Sequence, residues 1–316
     1  MVTPPQATSP IASSPPPPGL HDWLQQALAP EYELLRELGG GGMSRLYLAR
    51  ERALGRNVVV KVLPPEYITD DSVVRFQREV TLTARLQHPN ILPVLRAGKA
   101  GELLFYIAPF IEGESLRQRI DRERTLTTAE TTAILEESAR ALAFAHARGV
   151  VHRDVKPANI LLSDGHAVLA DFGIARALVP EPHAPAITLA DTRPGTPAYM
   201  APERPDDATA DLYALGVVGH EMLTGERPAG VVTAASILRL RAANGGTDDR
   251  AARHLARVIA RMLAVRPADR LPSAEVLLRQ LASPARALVS RWSRPALAAL
   301  LLVAAGTALV AGGAAF

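Results

Sequence analysis

Cysteine is absent from the chain's 316 residues. That excludes disulfides, a thiolate metal site and a cysteine nucleophile, and it is compatible with a reducing compartment. Lysine is almost absent too. Lys61, Lys99 and Lys156 are the only lysines among 35 basic residues, so the cationic surface is arginine. Against that bias Lys61 and Lys156 stand out, because both fall in motifs described below. The formal net charge is only +3, too mild to argue for nucleic-acid binding. There is no internal repeat. Residues 1–19 lack the basic start and apolar core of a secretory signal. They are rich in Pro, Ser, Thr and Ala and end in Pro15-Pro16-Pro17-Pro18-Gly19. Such a composition buries little apolar surface and reads as a disordered, partly polyproline II tail rather than an SH3-type ligand.

What remains is long and apolar enough, with 48% hydrophobic residues, to build two lobes. Leu20–Leu28 reads as a short amphipathic helix with Leu20, Trp23, Leu24, Ala27 and Leu28 on one face, packed on the domain that follows. From Tyr32 to Lys99 short runs bounded by Gly and Pro predict strands at 33–38, 46–50 and 58–63, interrupted by a helix over 71–86 capped by Asp70, Asp71 or Ser72. From Leu116 onward helices dominate. The spacing predicts one over 128–148, capped by Thr127 or Thr128 and stopped by Gly149. Others follow over 209–224, 234–243, 250–264 and 273–281. A small β-rich lobe before a larger helical lobe, with a cleft between, is an α+β arrangement.

The segment Ala296–Phe316 carries no charge over 21 residues. As a helix it would extend ~31 Å at ~1.5 Å per residue, enough for a bilayer core of ~30 Å. Arg286, Arg291, Trp292 and Arg294 in or near 284–295 mark a juxtamembrane stretch whose basic side faces the cytoplasm. A single pass with the folded domain inside is the favoured reading, and a buried Ala-rich helix is its rival. No outer domain is expected after Phe316. Gly306 and Gly312 are not at the four-residue spacing of a close-packed helix pair.

The densest chemistry lies in His152-Arg153-Asp154-Val155-Lys156-Pro157-Ala158-Asn159, with Asp171-Phe172-Gly173 placing its Asp twelve residues after the Asn. This run offers a base (Asp154), a phosphate-contacting cation (Lys156) and two oxygen ligands for Mg²⁺ or Mn²⁺ (Asn159 and Asp171). That set is what transfer of a phosphoryl group from ATP to a hydroxyl requires. Upstream, Gly39-Gly40-Gly41-Gly42-Met43-Ser44-Arg45-Leu46 lies between two predicted strands. A hairpin tip with few side chains lets backbone N–H groups approach phosphate. Lys61 ends the run Val58-Val59-Val60, where an unpaired ammonium is costly, and Glu79 is its natural partner. Read singly, each residue has a plain structural role: a turn for Asp154, a cap for Asn159, a surface acid for Asp171. Those readings fail because all would have to coincide at these offsets.

Together these motifs resemble the eukaryotic-like serine/threonine protein kinases of bacteria, over about Tyr32 to Leu281. The resemblance implies a two-lobed kinase fold, N-lobe 32–108 and C-lobe 112–283, which follows the short N-terminal helix read at 20–31. It implies ATP held by Gly39, Gly41, Gly42, Met43 and Ser44 at its phosphates. Leu46, Val59, Leu161, the Pro109 carbonyl and the Ile111 N–H would lie at adenine, with Ala108 guarding the pocket behind it. Ser44 replaces the family's last loop Gly, Leu46 its Val and Val59 its Ala. The ending Gly195-Thr196-Pro197-Ala198-Tyr199-Met200-Ala201-Pro202-Glu203 implies that Thr196 contacts Asp154 and Lys156, and that Glu203 pairs with Arg270. Asp211 would anchor the catalytic loop. Thr188 and Thr192 are candidate autophosphorylation sites, in trans, whose phosphate would meet Arg153. The implied substrates are protein Ser/Thr hydroxyls. The stretch between Glu203 and Asp211 is shorter than the family's usual one, which is the sole support for a pseudokinase scaffold. The Thr-bearing segment and the A-P-E ending disfavour a small-molecule phosphotransferase.

Overall fold

Alternation of side chains builds the first sheet. In β3 (Arg56–Leu63) Val58, Val60 and Val62 are buried while Val59 and Lys61 face the other side, the period of two that a half-covered strand requires. The computed structural model describes residues 19–41, 44–63, 68, 70–100, 103–172, 197–203 and 207–282. Two compact units divide the chain: one runs up to Arg75 and takes in Val94–Phe110, and the other comprises Phe76–Pro93 and the residues from Ile111 on.

The first unit is an antiparallel sheet of five strands in the order β1-β2-β3-β5-β4. Its strands are β1 (Tyr32–Gly41), β2 (Ser44–Glu51), β3, β4 (Arg96–Ala100) and β5 (Leu103–Pro109). Strands β4 and β5 were not among those predicted from the sequence. One face of the sheet is covered by α1 (Leu20–Leu28), whose Leu24 and Leu28 join Tyr47, Val58, Val60, Phe105 and Ile107 in a single core. Gln25 pins this helix to β1, accepting from the Leu34 N–H at 2.8 Å and donating to the Tyr32 carbonyl at 3.2 Å. Trp23 departs from the predicted apolar face. It is 41% exposed, because Leu24 and Leu28, four apart, already fill the contact line.

The helix α2 (Asp70–Thr83) straddles the boundary between the units. It begins at Asp70, so Asp71 and Ser72 lie inside it rather than capping it, and it stops short of the predicted Leu86. The second unit holds α3 (Leu116–Glu123), α4 (Thr128–His146), α5 (Ala208–Thr224), α6 (Ala234–Ala243), α7 (Arg250–Met262) and α8 (Ala274–Leu281). A small sheet, β6 (Glu114–Ser115), β7 (Ile160–Ser163) and β8 (His166–Leu169), lies among them, unforeseen by a reading in which helices simply dominate.

Caps set the helix starts. Thr127 accepts from the Glu130 N–H while the Glu130 side chain accepts from the Thr127 N–H, a reciprocal box at the head of α4. Asp207 begins α5 by accepting from the Thr209 N–H at 2.8 Å, and Gly225 ends it with φ 76°. The core is built on α4, α5 and α7 through Leu135, Leu142, Leu215, Val218, Met222 and Ile259. Gly216 is fixed by closeness, since a Cβ there would stand 2.8 Å from Met262 Cβ. Among the described residues no helix is long and apolar enough to cross a membrane. The predicted span 296–316 lies outside them.

Candidate active site

The catalytic-loop candidates start where α4 ends. Gly149, at φ 73°, stops the helix, and the chain then runs without regular structure to a 3₁₀ turn at Pro157–Asn159 that leads directly into β7. Asp211, only 1% exposed on α5, holds this loop from beneath. Its carboxylate accepts from the His152 N–H at 2.8 Å, the Arg153 N–H at 2.7 Å and His146 Nε2 at 2.8 Å. Three donors on one buried carboxylate satisfy a charge that would be expensive to leave alone.

His152 is fully buried and its two ring nitrogens have distinct tasks. Nε2 donates to the Ala170 carbonyl at 2.9 Å and Nδ1 accepts from the Asp154 N–H at 3.3 Å. Its ring packs on Phe172 at 4.5 Å between centroids. Arg153 and Asp171 both adopt positive φ, 67° and 65°. In a non-glycine residue that conformation costs of order 1–3 kcal/mol and clusters where chemistry needs it.

Above this anchor three predicted residues converge. Asp154 Oδ2 lies 2.6 Å from Lys156 Nζ, and Asn159 Nδ2 donates to the Asp154 carbonyl at 2.9 Å and to Oδ2 at 3.1 Å. With Nδ2 so engaged, Asn159 has Oδ1 to offer a cation. Among the described residues no three His, Cys, Asp or Glu side chains converge on a metal position. Asn159 Oδ1 is a hard oxygen donor of the kind that suits Mg²⁺. Glu79 lies 3.8 Å from Arg153 Nη1 within the second unit, a pairing the sequence reading did not include.

The segment after the activation region is held by two clusters. Arg270 pairs with Glu203 through both guanidinium nitrogens, the Nη2–Oε2 distance being 3.0 Å. It also donates from Nε to the Ala264 carbonyl at 2.8 Å and lies over the Tyr213 ring. The hydrogen bond from Arg270 holds the Glu203 carboxyl below its ordinary range. The second cluster was missed from sequence. Tyr199 donates to Glu221 Oε2 at 2.6 Å, and Arg117 Nη1 donates to Glu221 Oε1 at 3.0 Å. Burial, then the bond to Glu221, pushes the Tyr199 hydroxyl upward. No motif marks contacts separated by 22 and 104 residues; the only signal was an acid within an apolar helix.

In the first unit, strand register lines up the nucleotide-side candidates. Leu46 is opposite Lys61, which is opposite Tyr106, and in the next row Val59 is opposite Ala108. Lys61 Nζ stands 5.9 Å from the centre of the Tyr106 ring. The glycine run forms the β1–β2 hairpin, pairing Gly39 with Leu46 and Gly41 with Ser44. Gly39 has φ 120° and open space around its Cβ position. Pro109 ends β5 opposite Val58. Its missing N–H loses nothing that the resemblance requires of it. Ile111 follows β5, and Leu161 lies on β7 opposite Ser115. Gly42, Met43, Thr188, Thr192 and Thr196 lie outside the described residues.

The Asp154–Lys156–Asn159 cluster, on a loop tied to the buried Asp211, has the make-up that phosphoryl transfer of the protein-kinase type calls for. The protein kinase domain family matches residues 32–281, and the chain belongs to that family, with bacterial eukaryotic-like serine/threonine kinases among its relatives. It is 41% identical over 211 residues to serine/threonine-protein kinase PknB of Mycobacterium tuberculosis, covering 64% of this chain and 33% of that protein. It is 36% identical over 220 residues to PrkC of Bacillus subtilis, covering 68% and 33%. To pkn3 of Myxococcus xanthus it is 33% identical over 282 residues, covering 84% and 52%. The matched region thus spans about a third of the first two and about half of the third.

Proposed function

We propose that this chain is an ATP-dependent serine/threonine protein kinase, tethered to a membrane by residues 296–316 with its kinase domain on the cytoplasmic side. The observation that carries the reading is the Asp154 carboxylate, within 2.6 Å of Lys156 Nζ and 3.1 Å of Asn159 Nδ2. Asp154 orients the acceptor hydroxyl and takes its proton. Lys156 neutralises charge on the transferring phosphoryl group. Asn159 Oδ1 and the Asp171 carboxylate would hold Mg²⁺, or Mn²⁺ in its place, and the bound cation would supply positive charge to offset that developing on the phosphates.

In the first unit Lys61 contacts the phosphates, with Glu79 as its partner in the active state. The main chain from Gly39 to Ser44, including Gly42 and Met43, covers the phosphates. Leu46, Val59, Leu161, the Pro109 carbonyl and the Ile111 N–H receive adenine. A phosphate on Thr188, or on Thr192, added by a second copy of the kinase, pairs with Arg153 and orders the segment carrying Thr196. Membrane tethering raises the local concentration for that step.

The test uses the full chain with Mg²⁺ and γ-labelled ATP, a generic protein acceptor, and an Asp154→Asn control. Label on Ser or Thr of the acceptor, and on Thr188 or Thr192 of the kinase, absent from the control, is the expected result. ATP binding without transfer under these conditions makes the chain a pseudokinase scaffold instead.

A further inference from the structure

We propose that the arginine stripe along α7 is a contact surface for anionic lipid headgroups. Arg250, Arg253, Arg257 and Arg261 recur at spacings of three and four residues on this helix, all are exposed, and no acid occurs between Arg250 and Met262. That spacing places the four on one face. The stripe is ~16 Å long at ~1.5 Å per residue. The opposite face buries Leu255, Val258, Ile259 and Met262. The acids next to the helix in sequence, Asp248 and Asp249, stand at its N-terminal end. Asp248 is 3.1 Å from Arg253, and Asp249 is engaged as the cap, accepting from the Ala252 N–H at 2.8 Å. Arg250, Arg257 and Arg261 have no ion-pair partner among the described residues. Like charges three and four apart destabilise a helix, and an external anionic surface relieves that repulsion.

Position selects the kind of anion. His254, flanking the stripe, donates from Nε2 to the Gln280 carbonyl at 2.7 Å, in the last turn of α8. From there the chain continues into Arg286, Arg291, Trp292 and Arg294 and then the uncharged 296–316. The stripe therefore lies next to the exit toward the segment read above as a bilayer span, where a dense layer of fixed negative charge is the cytoplasmic leaflet. Each arginine held against such a surface strengthens partitioning about fivefold, provided it sits within the screening distance of ~8 Å at physiological salt. The tether reading supplies the stripe's place beside the bilayer; the charge of the stripe is independent of it.

The absence of cysteine gives a clean probe. Ala251, exposed among the arginines, is changed to Cys in the full chain and labelled with a fluorophore. The protein is mixed with vesicles of phosphatidylcholine, or of phosphatidylcholine rich in phosphatidylglycerol, both carrying a headgroup quencher. Quenching in the phosphatidylglycerol vesicles alone is expected. It should vanish in 1 M salt, where screening shortens to ~3 Å, and in Arg250→Glu/Arg253→Glu/Arg257→Glu/Arg261→Glu. Arg257→Gln/Arg261→Gln should weaken it by about 25-fold. Circular dichroism checks that the variants remain folded. Flotation with phosphatidylcholine vesicles reads the apolar segment separately. Flotation without lipid-dependent quenching overturns the stripe and leaves the tether. Quenching with phosphatidylglycerol but no flotation with phosphatidylcholine supports the stripe and overturns the tether. Equal quenching in both lipids, or a probe response to heparin but not to vesicles, overturns the lipid assignment.

Discussion

Replacing Asp211 tests whether the catalytic loop is held by one buried carboxylate. Asp211→Ala removes the acceptor for the His152 and Arg153 N–H groups and for His146 Nε2. Leaving a buried donor unpaired costs about 1–3 kcal/mol, and two main-chain donors are left so. His146 is itself only 10% exposed and loses a charge-assisted bond. Against this, the buried charge disappears and a water can occupy the vacated space, so simple addition overstates the loss. The net expectation is about 3–5 kcal/mol, the size seen when one member of a buried pair is removed. That is a large part of the ~5–15 kcal/mol that holds a domain together. Asp211→Asn keeps one acceptor but turns an NH₂ toward a donor, and about 2 kcal/mol is expected.

Urea unfolding gives both values, with an unchanged m confirming that the same transition is compared. The loop also carries Arg153 at φ 67°, a conformation that persists only while its surroundings impose it. Once the N–H of Arg153 is released, Asp154 next to it loses its aim. Turnover in Asp211→Asn should therefore fall by about two orders of magnitude, the usual worth of a positioned general base, with ATP affinity altered far less. A stability loss below about 1 kcal/mol for Asp211→Ala, the range of an ordinary surface change, would refute the anchor, as would unaltered turnover in Asp211→Asn.

Three further outcomes follow from particular contacts. Arg270→Ala should cost about 3 kcal/mol, because it strands Glu203 and empties a nearly buried site, while Arg270→Lys recovers only part of that; thermal unfolding reads both. Glu203 has a depressed pKa, so its contribution is complete above the ordinary carboxylate range and is lost as pH falls through that depressed value, and Glu203→Gln should flatten this acid limb. His220 on α5 is buried, with its pKa lowered first by desolvation. Its contribution is present above the ordinary imidazole range and lost as pH falls below it, so unfolding midpoints should drop on acidification less steeply in His220→Gln. Ala108 is 3% exposed on β5 opposite Val59, and under the proposed ATP site its small side chain would leave the pocket behind adenine without a bulky guard. Bulky N6-substituted ATP analogues should support transfer at rates near that of ATP, and Ala108→Met should abolish their use while sparing ATP.

What the sequence made legible was local. Five of the six helices α3 to α8 were foreseen from cap residues and apolar spacing, so 234–243 agrees with α6 end to end and Thr127 heads α4, whereas α3 (Leu116–Glu123) was not foreseen. The strand over 58–63 declared itself as a short apolar run, and its alternation appears only in the burial of Val58, Val60 and Val62. Strands β6 to β8 did not, because strands of two to four residues are too short to display a period, and their pairing is set by the loop they frame. The same limit governs the site. Asp154, Lys156 and Asn159 lie within six consecutive positions and could be read together. The Arg117–Glu221–Tyr199 cluster draws one side chain each from α3, α5 and the turn before α5, and apart from Glu221, an acid within an apolar helix, none stands out in the sequence.

The proximity of Glu79 to Arg153 carries the argument one step further. Sequence assigned Glu79 to Lys61 because a lysine on an apolar strand needs an anion. It assigned Arg153 to a phosphothreonine because a cation beside the base needs one too. Two cations were thus matched to two anions by complementarity alone. At 3.8 Å from Arg153, Glu79 is an anion within reach of the cation reserved for the phosphate. Its share in Arg153 is then measurable as coupling between them. Under the proposed pairing of a Thr188 phosphate with Arg153, that phosphate would compete with Glu79 for the guanidinium, so Glu79→Gln should tighten the phosphate–Arg153 interaction and protect the phosphate from a phosphatase, even though the same change should lower turnover. Dephosphorylation of Glu79→Gln at the parental rate would show that the two anions do not compete.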